Sequence, residues 1–353
     1  MKASIQENQC FLAELMAGNL GIYTIREEWL LSEDVDACKL KEAFFYLMKT
    51  SRHLNRVFYL DDDSILQSKS TGIAPLWVAD DVEFNMTEAP LMRAGIYKKD
   101  NRNFFKIQFH HSLMDGWSLG LFMKDLGNAY HQKPISFVNK SNSSVNRCDN
   151  FSPLNRAWKD YSFLSEATGA ESDGILFSLN KKEIEDLKKE AAKCKTTLFP
   201  LLISRISEVI SEISGDEHFE YAIPFSARNN SNINDIGMFV DTQLLELKTM
   251  SPAEIQNKLL ELIATPNSVF QYSGTPKIML NFLDMNILKF ALSKDGYPVS
   301  YLAKYALFDF QIEFRNFENG IDVLILHRNG VLQIAKNTLY QKIKSKLSGE
   351  FND

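Results

Sequence analysis

The chain has 353 residues, of which 45 % are hydrophobic and 24 % are charged, and this composition is typical of a globular protein with a substantial core. Lys and Arg number 39 against 45 Asp and Glu, a formal net charge of −6, which argues against a general nucleic-acid-binding protein because such proteins carry a basic surface. No apolar run approaches the roughly 18–20 residues of a membrane helix, and the N-terminal residues lack an apolar signal core. The length predicts two domains or one large domain.

The cysteine pattern indicates a reduced protein. The four cysteines are Cys10, Cys38, Cys148 and Cys194, and no CxxC pair occurs. This wide spacing is untypical of a zinc cage or of a disulfide framework. We therefore expect a cytoplasmic protein without a structural metal.

Residues 1–131 alternate between helical and strand patterns. The predicted elements are, in chain order, a helix over 5–15, a strand over 23–31, a helix over 35–47 capped by Asp34, extended pieces at 57–60 and 65–67, strands over 92–97 and 103–111, a turn over 112–116 and a helix over 117–130. Period-two alternation in strand 103–111 predicts Phe105, Ile107, Phe109 and His111 on one face and Phe104, Lys106, Gln108 and His110 on the other.

Residues 132–154 are rich in Ser and Asn, contain two prolines and show little periodicity, so they are predicted to be a connector between domains 1–150 and 151–353. The pattern then restarts. The predicted helices are 156–165, 181–193, 196–214, 253–263 and 336–347, and the predicted strands are 175–179, 219–223, 242–247, 277–283, 306–314 and 321–326. Strands and helices mix in both parts, which predicts an α/β class, an α+β two-layer architecture in each domain.

The end of strand 103–111 carries the residues most typical of catalysis. His111 follows an apolar strand face, which is a suitable setting for a titratable base. Asp115 could orient an imidazole or pair with an arginine to hold the turn. Gly116 leaves the backbone bare just before the predicted helix, where the helix N-terminus favours developing negative charge. Together these residues form a plausible acyl-transfer constellation.

Two other interpretations of the same residues stay open. A His-His pair at a strand end can be structural, and an Asp-Gly pair after a strand can simply form a turn. A metal site is a third interpretation. Zinc needs three or four convergent ligands, whereas His110 and His111 point to opposite faces and His53, His131, His218 and His327 are isolated in the sequence.

Residues 110–118, His-His-Ser-Leu-Met-Asp-Gly-Trp-Ser, resemble the HHxxxDG motif of the condensation-domain acyltransferases of nonribosomal peptide synthesis, within the chloramphenicol-acetyltransferase-like superfamily. The doubled histidine and the Gly-Trp-Ser end favour the condensation branch, and the DFGWG motif of plant-type acyltransferases is absent. Further segments resemble the family in the same order: Glu7-Asn8-Gln9 with Phe11-Leu12, residues 36–48, 89–94, 224–229, 236–242 and 280–283. These matches cover most of the chain.

The chain also departs from the family pattern. The helix-end pattern RHxxLRTxF corresponds to residues 50–58, where the usual histidine is lost and Arg56 is displaced by one position. Asp241 replaces the usual asparagine. An arginine commonly pairs with the motif aspartate in the family, and Arg56, Arg93 and Arg228 are the candidates here. The chain is shorter than a typical member and carries no adenylation or carrier domain, so the resemblance implies a free-standing enzyme.

The resemblance implies a fold of two chloramphenicol-acetyltransferase-like lobes in a V with the active-site tunnel between them and the connector as the hinge. It implies that His111 takes a proton from the acceptor or positions it, that Asp115 holds the loop through an arginine, and that Gly116 N–H meets the oxyanion. The predicted site residues are the catalytic His111, Asp115 and Gly116, the substrate-binding His110, Trp117, Ser118 and Asn281, and the nearby structural Arg93 and Arg228.

Three functions follow from the resemblance. The first is transfer of an acyl group from the phosphopantetheine thioester of an acyl or peptidyl carrier protein to a small-molecule amine or alcohol. The second is the same transfer from coenzyme A. The third is a non-catalytic scaffold that binds a carrier protein, against which the intact HHxxxDG motif argues. No bound cofactor, nucleic acid or membrane is expected, and two lobes in one chain favour a monomer.

Overall fold

The computed structural model describes residues 2–18, 20–61, 66–73, 75–136, 154–248, 250–266, 268–269 and 272–349. The chain divides into two compact units. The first unit comprises Met1–Asn150, Ser226–Val240 and Met285–Val299, and the second comprises Phe151–Phe225, Asp241–Asp284 and Ser300–Asp353. None of the helices in the described part of the chain combines the length and apolar character that crossing a membrane requires.

The first unit is built on a mixed sheet with helices. Its helices are α1 (Ile5–Met16), α2 (Ala37–Thr50) and α3 (Gly116–Tyr130). Its five-stranded sheet has the order β11 (Ser293–Pro298), β1 (Thr24–Leu31), β6 (Arg102–His110), β5 (Met92–Lys99) and β4 (Leu76–Trp77), and β2 (Arg56–Leu60) pairs with β3 (Leu66–Ser70). Strand β6 runs antiparallel to both β1 and β5, so its C-terminal end, where the motif lies, is held from two sides.

Local capping fixes where the helices of this unit begin. Ser4 and Glu7 form a reciprocal capping box at α1. At α2 the cap is Asp36, whose Oδ1 accepts from the N–H groups of Cys38 and Lys39 at 2.8 and 3.1 Å. The prediction that Asp34 caps this helix was therefore wrong, because the helix begins two residues later than the apolar period suggested.

Helix α3 packs closely on the rest of its unit. It lies against α2 and against a 3-10 helix, Met285–Leu288. The approach is close at Gly120, where a Cβ would lie 2.4 Å from the carbonyl oxygen of Ile287. Glycine is therefore required at this position, and the N-terminal end of α3 is rigidly placed.

The described residues of the second unit form a six-stranded sheet and four α-helices. The sheet order is β7 (Ser172–Asn180), β13 (Gly320–Arg328), β12 (Phe310–Phe317), β10 (Ile278–Asp284), β8 (His218–Ser226) and β9 (Val240–Lys248). The helices are α4 (Lys181–Lys193), α5 (Leu198–Ser214), α6 (Pro252–Ala264) and α7 (Lys336–Ser348). One sheet face and the apolar sides of these helices form one core, which includes Ile206, Leu280, Ile312, Val323 and Leu339. The mixed α/β class is thus confirmed in both units.

The predicted helix over 156–165 is wrong. This segment is irregular, with a turn closed by the N–H of Leu164 and the carbonyl of Tyr161, and it bridges Leu164 to Leu332. Its side chains bind across the second unit: Trp158 donates to the carbonyl of Ser273 at 2.7 Å. Tertiary contacts of the aromatic residues decide its conformation, and its helical spacing does not.

Other predictions were wrong at the edges of elements. Strand β12 begins at Phe310 and not at residue 306. Strands β4 and β11 and the 3-10 helix were not predicted. Strand β11 has the sequence Ser-Lys-Asp-Gly-Tyr-Pro, which lacks any strand pattern, and it forms because its backbone pairs with β1 at Trp29 and Leu31. Most of the predicted connector, residues 137–153, lies outside the described residues.

The division into units differs from the predicted domains in two segments. The sequence analysis assigned residues 226–240 and 285–299 to the second domain, whereas the structure places them in the first unit. The second segment joins because β11 extends the first sheet. The first joins because the carbonyl oxygen of Gly237 accepts from the N–H of Asp115 at 3.1 Å. Both are long-range backbone pairings that hydrophobic patterning does not reveal.

Candidate active site

The motif forms a tight turn between β6 and α3. The N–H of Leu113 donates to the carbonyl of His110 at 3.0 Å, which closes the turn. The N–H of His111 donates to the carbonyl of Tyr23 at 2.8 Å, so the first residue beyond β6 is still bound to the neighbouring chain segment. Strand pairing on both sides thus fixes the backbone from which the His111 ring projects.

His111 has a defined tautomer. Its Nδ1 lies 2.9 Å from the carbonyl oxygen of Met114, and a carbonyl oxygen can only accept, so Nδ1 carries the proton. In the neutral form of this ring, the other nitrogen, Nε2, carries the lone pair. The ring is half-buried and lies 6.2 Å from the ring of Tyr23. A fixed neutral imidazole with an unprotonated Nε2 is the form that a general base needs.

His110 is structural. Its side chain is fully buried, and its Nδ1 accepts from the N–H of Ser112 at 3.2 Å and from the Ser112 hydroxyl at 2.8 Å. Its Nε2 lies 3.5 Å from the carboxylate of Glu14. Burial lowers the pKa of His110, although Glu14 acts in the opposite direction. The structure therefore does not support the predicted substrate-binding role, because period-two alternation turns this ring away from the face of His111.

Asp115 is paired with Arg228. Its Oδ1 lies 2.9 Å from Nη2 of Arg228, and both side chains are buried. The same oxygen accepts from the N–H of Ser118 at 2.8 Å, and Oδ2 accepts from the N–H of Phe239 at 3.1 Å. Among the three candidate arginines, Arg228 is thus the partner. With its oxygens engaged in these contacts, Asp115 serves as helix cap and ion-pair partner, not as a proton acceptor.

Ser118 completes this buried network. Its hydroxyl donates to the carbonyl of Gly237 at 2.8 Å and accepts from the N–H of Gly237 at 3.0 Å and from Arg228 at 2.5 Å. One donor and two acceptor positions are all that a serine hydroxyl has. The predicted substrate contact by Ser118 is therefore not supported, because its hydrogen-bonding capacity is already used.

The N-terminus of α3 is open at Gly116. As the first helical residue, Gly116 has an N–H without an intrahelical acceptor. A Cβ at this position would meet no atom within 4 Å, so packing does not demand glycine here. Trp117 is partly exposed beside it and donates from Nε1 to the carbonyl of Ile233 at 2.8 Å. The first residue of α3 thus has an N–H without an intrahelical acceptor and open space at its Cβ position.

His53 contacts the motif, although the sequence analysis treated it as isolated. Its Nε2 lies 2.7 Å from the carbonyl oxygen of Leu113, so this nitrogen carries a proton and donates. Burial and the neighbouring Arg56 hold the pKa of His53 well below its ordinary value. Arg56 itself pairs with the buried carboxylate of Glu7 and is therefore not the partner of Asp115.

The spacing of residues in α1 predicts that two of its glutamates, Glu7 and Glu14, are buried. Glu7, Cys10, Phe11 and Glu14 follow the i, i+3, i+4, i+7 spacing of one helix face, and all four are buried in α1. Two carboxylates on the apolar face of a helix predict buried partners, which are Arg56 for Glu7 and the Gly21–Tyr23 segment for Glu14. No local signal marks His53.

The remaining predicted site residues lie elsewhere. Arg93 is on β5, where its guanidinium lies 5.4 Å from the ring centre of Phe84, and it makes no ion pair with Asp115. Asn281 belongs to the second unit, on β10 beside Glu313 of β12. Within the described residues no group of three or more His, Cys, Asp or Glu could hold a metal ion.

Part of the chain matches a known family model. Residues 40–143 match the family model of the condensation domain. The chain is 25 % identical over 296 residues to tyrocidine synthase 3 of Brevibacillus parabrevis, which covers 71 % of this chain and 4 % of the synthase. It is 24 % identical over 262 residues to gramicidin S synthase 2 of Aneurinibacillus migulanus, which covers 68 % of this chain and 6 % of that protein. The chain therefore spans a small fraction of these relatives.

Solved structures share the fold. The condensation domain of the monacolin K polyketide synthase MokA has a TM-score of 0.77 at 10 % identity, over 99 % of this chain and 96 % of that one. The first condensation domain of the calcium-dependent antibiotic synthetase has a TM-score of 0.75 at 13 % identity, over 98 % and 94 %. An epimerization domain of tyrocidine synthetase B also matches, with a TM-score of 0.72 at 13 % identity, over 99 % and 96 %.

The chain therefore has the fold of the condensation domains, and residues 40–143 match the condensation-domain family model.

Proposed function

We propose that this protein transfers an acyl group from the phosphopantetheine thioester of a carrier protein to an amine or hydroxyl acceptor, and so forms an amide or an ester. The observation that carries the proposal is the state of His111. Its Nδ1 is bound to the Met114 carbonyl, its Nε2 lone pair is free, and its ring is half-buried on the turn that leads into α3.

His111 acts as the base in this proposal. Its Nε2 takes the proton from the acceptor nitrogen or oxygen as that atom attacks the thioester carbonyl. The Met114 carbonyl accepts from Nδ1–H and thereby keeps the ring oriented while positive charge develops on it. A general base of this kind contributes roughly 10²–10⁴-fold to the rate.

The N-terminus of α3 stabilises the oxyanion. The carbonyl oxygen becomes negative when the tetrahedral intermediate forms, and the N–H of Gly116 with the positive end of the helix dipole is suited to this charge. The thiolate then leaves and takes up the proton that His111 accepted, so atoms and charges balance. The Asp115–Arg228 ion pair holds the helix end in place and takes no part in proton transfer.

A second donor, coenzyme A, is supported by one structural neighbour. The starter condensation domain of rhizomide synthetase, with a TM-score of 0.73 at 13 % identity, was solved in complex with C8-CoA. Coenzyme A and a carrier protein present the same phosphopantetheine thioester, so the chemistry at His111 is identical. We expect the protein to act on either donor as a cytoplasmic monomer without a bound cofactor or nucleic acid.

The test is intact-mass spectrometry of an acyl-loaded carrier protein incubated with the wild type and with His111→Ala. The acceptors are a panel of amines and alcohols, and C8-CoA is tested as a separate donor. Loss of the acyl mass with the wild type, matched by a new acylated product and absent with the variant, is the expected result. Turnover of C8-CoA without carrier protein would assign the soluble donor.

Other outcomes contradict the proposal. Equal behaviour of wild type and His111→Ala with every donor would show that this turn is not an acyl-transfer site. Carrier binding without turnover would indicate a scaffold. Because an epimerization domain shares the fold, the recovered carrier-bound aminoacyl group is also analysed for stereochemistry. Inversion without transfer would assign epimerization instead.

A further inference from the structure

Helix α1 carries a buried carboxylate that the proposed mechanism does not use. Glu14 is 3 % exposed, and burying a carboxylate is costly unless hydrogen bonds compensate it. The described contacts of Glu14 do not include a lysine or arginine. Its carboxylate instead contacts the segment that leads into β1 and the side chain of His110.

The carboxylate of Glu14 binds two peptide N–H groups. Its Oε2 accepts from the N–H of Gly21 at 3.0 Å, and its Oε1 accepts from the N–H of Tyr23 at 2.6 Å. Gly21 has a φ of +69°, and a Cβ there would lie 2.7 Å from Cβ of Glu83. Only glycine fits at position 21 in this conformation, and Glu14 binds the backbone N–H groups that the conformation presents.

Tyr23 connects this carboxylate to the proposed base. The N–H of Tyr23 donates to Glu14, and the carbonyl of the same residue accepts from the N–H of His111 at 2.8 Å. The Tyr23 ring also lies 6.2 Å from the ring of His111. Oε1 of Glu14 is in addition 3.5 Å from Nε2 of His110. Glu14 thus lies next to His110 and is linked to His111 through the peptide groups of Tyr23.

We propose that Glu14 is a positioning residue for the His111 imidazole, acting through Tyr23. This inference deepens the proposed function and rests on it for its kinetic part. In the acyl-transfer step the acceptor must lie at hydrogen-bonding distance from Nε2 of His111, and a misplacement of about 1 Å at a catalytic group can cost about 10²-fold in rate. A shift of the Tyr23 peptide would move the His111 backbone directly.

The variant Glu14→Gln tests the proposal. Glutamine has the same shape, but its single carbonyl oxygen cannot replace two carboxylate oxygens, and its amide N–H groups would face the N–H of Gly21 or of Tyr23. We expect kcat to fall about 10- to 100-fold while KM changes less than about twofold, because the donor and acceptor surfaces are untouched and only placement of the base is lost.

Nuclear magnetic resonance of the histidine side chains gives a readout that needs no substrate. The chain has six histidines, so ring ¹⁵N signals can be assigned with single variants. In the wild type the His111 signals should be those of a ring whose Nδ1 is protonated and bound to a carbonyl. In Glu14→Gln we expect the His111 signals to shift and broaden as the ring loses its fixed orientation, while those of His327 stay unchanged.

Asp125→Asn is the matched control. Asp125 is a fully buried carboxylate of the same unit whose Oδ2 accepts from the N–H of Ser136 at 2.8 Å. Its replacement should lower stability without moving the His111 signals or kcat. If Glu14→Gln fails to fold, Glu14→Asp, which keeps the charge but shortens the reach, is measured in the same way.

The outcomes separate this proposal from the proposed function. Unchanged His111 signals and an unchanged kcat in a destabilised Glu14 variant would overturn it, because Glu14 would then be structural only. Altered His111 signals in a protein whose wild type transfers no acyl group would uphold the positioning contact and refute the acyl-transfer function instead.

Discussion

Each unit contains an antiparallel hairpin followed by a turn and a helix, with a histidine near the end of the second strand. In the first unit β5 and β6 lead through His110 and His111 into α3. In the second unit β12 and β13 lead through His327 into α7. The two segments share a local architecture and differ in what surrounds the histidine.

Both ring nitrogens of the histidine in the second hairpin are hydrogen-bonded. His327 is 4 % exposed. Its Nδ1 donates to the carbonyl of Arg328 at 3.0 Å, and its Nε2 accepts from the hydroxyl of Tyr340 at 2.8 Å. His111 also binds a carbonyl through Nδ1, but its ring is only half-buried and its Nε2 is free to accept a proton. The position of a histidine at a strand end therefore does not by itself make a catalytic site.

The N-termini of helices α3 and α7, which follow the two hairpins, also differ. Helix α3 is capped by the Asp115 side chain, which Arg228 holds in place. Helix α7 begins after Ala335 without a side-chain cap, and Lys336 occupies its first position. The Nζ of Lys336 pairs with the carboxylate of Asp173 at 2.6 Å. The first turn thus differs from the second in two features: Nε2 of His111 makes no hydrogen bond among the described residues, and the helix that follows is capped by a side chain held in a buried ion pair.

The largest expected effect separates the two histidines. His111→Ala should lower kcat/KM for acyl transfer about 10²–10⁴-fold, because a general base is lost, with little change in stability. His327→Ala should leave kcat/KM unchanged and lower the free energy of unfolding by about 1–3 kcal/mol, because the buried Tyr340 hydroxyl loses its partner. Steady-state kinetics and urea denaturation measure both. Equal rate losses in the two variants would remove the distinction.

Breaking the Asp115–Arg228 pair tests what holds the first turn. Arg228→Met should lower the free energy of unfolding by about 3–5 kcal/mol, because Asp115 is left as a buried unpaired charge, and activity should fall with it. Chemical denaturation measures the stability change. Lys336→Met at the start of α7 is the control, since its pair with Asp173 is exposed and worth about 0–1 kcal/mol. Similar losses in both variants would contradict the assigned role.

The first unit should also respond to acid. Burial lowers the pKa of both His53 and His110 in the folded chain, so the unfolded chain binds more protons below the ordinary histidine pKa of about 6.5. The free energy of unfolding should therefore fall as the pH drops from 7 towards 5, by up to about 1.4 kcal/mol per pH unit for each histidine. Urea denaturation at both pH values measures this fall. His53→Gln should reduce the slope, and an unchanged slope would mean that His53 is not buried as a neutral ring.

The smallest expected effects are those of alanine substitutions at two glycines of α3. A Cβ at Gly116 meets open space, whereas a Cβ at Gly120 clashes with the Ile287 backbone. Gly116→Ala should therefore change stability by less than about 1 kcal/mol but reduce kcat/KM about tenfold if substrate occupies that space, which matches about 1.4 kcal/mol. Gly120→Ala should mainly destabilise the fold. Full activity of Gly116→Ala would place the oxyanion elsewhere.

Much of the fold could be predicted from patterns along the chain. Alternation in β6 and helical spacing in α2 and α3 gave these elements with small errors at their ends, because each buries one face and the period of its apolar residues reflects that face. The segment at 156–165 and strand β11 could not be predicted. Their conformations depend on partners distant in the chain, such as Tyr272 and β1, and not on their own periodicity.

The sequence by itself determined the resemblance to condensation domains, since residues 110–118 and the segments that match in order are local and need no partner to be recognised. Only the tertiary structure decided which arginine pairs with Asp115, because Arg228 lies 113 residues away. It alone also showed that the His110 side chain is fully buried, and it brought His53 and Glu14 to the motif. Hydrogen bonds between residues distant in the chain set these partners, and such bonds leave no periodic trace in the chain.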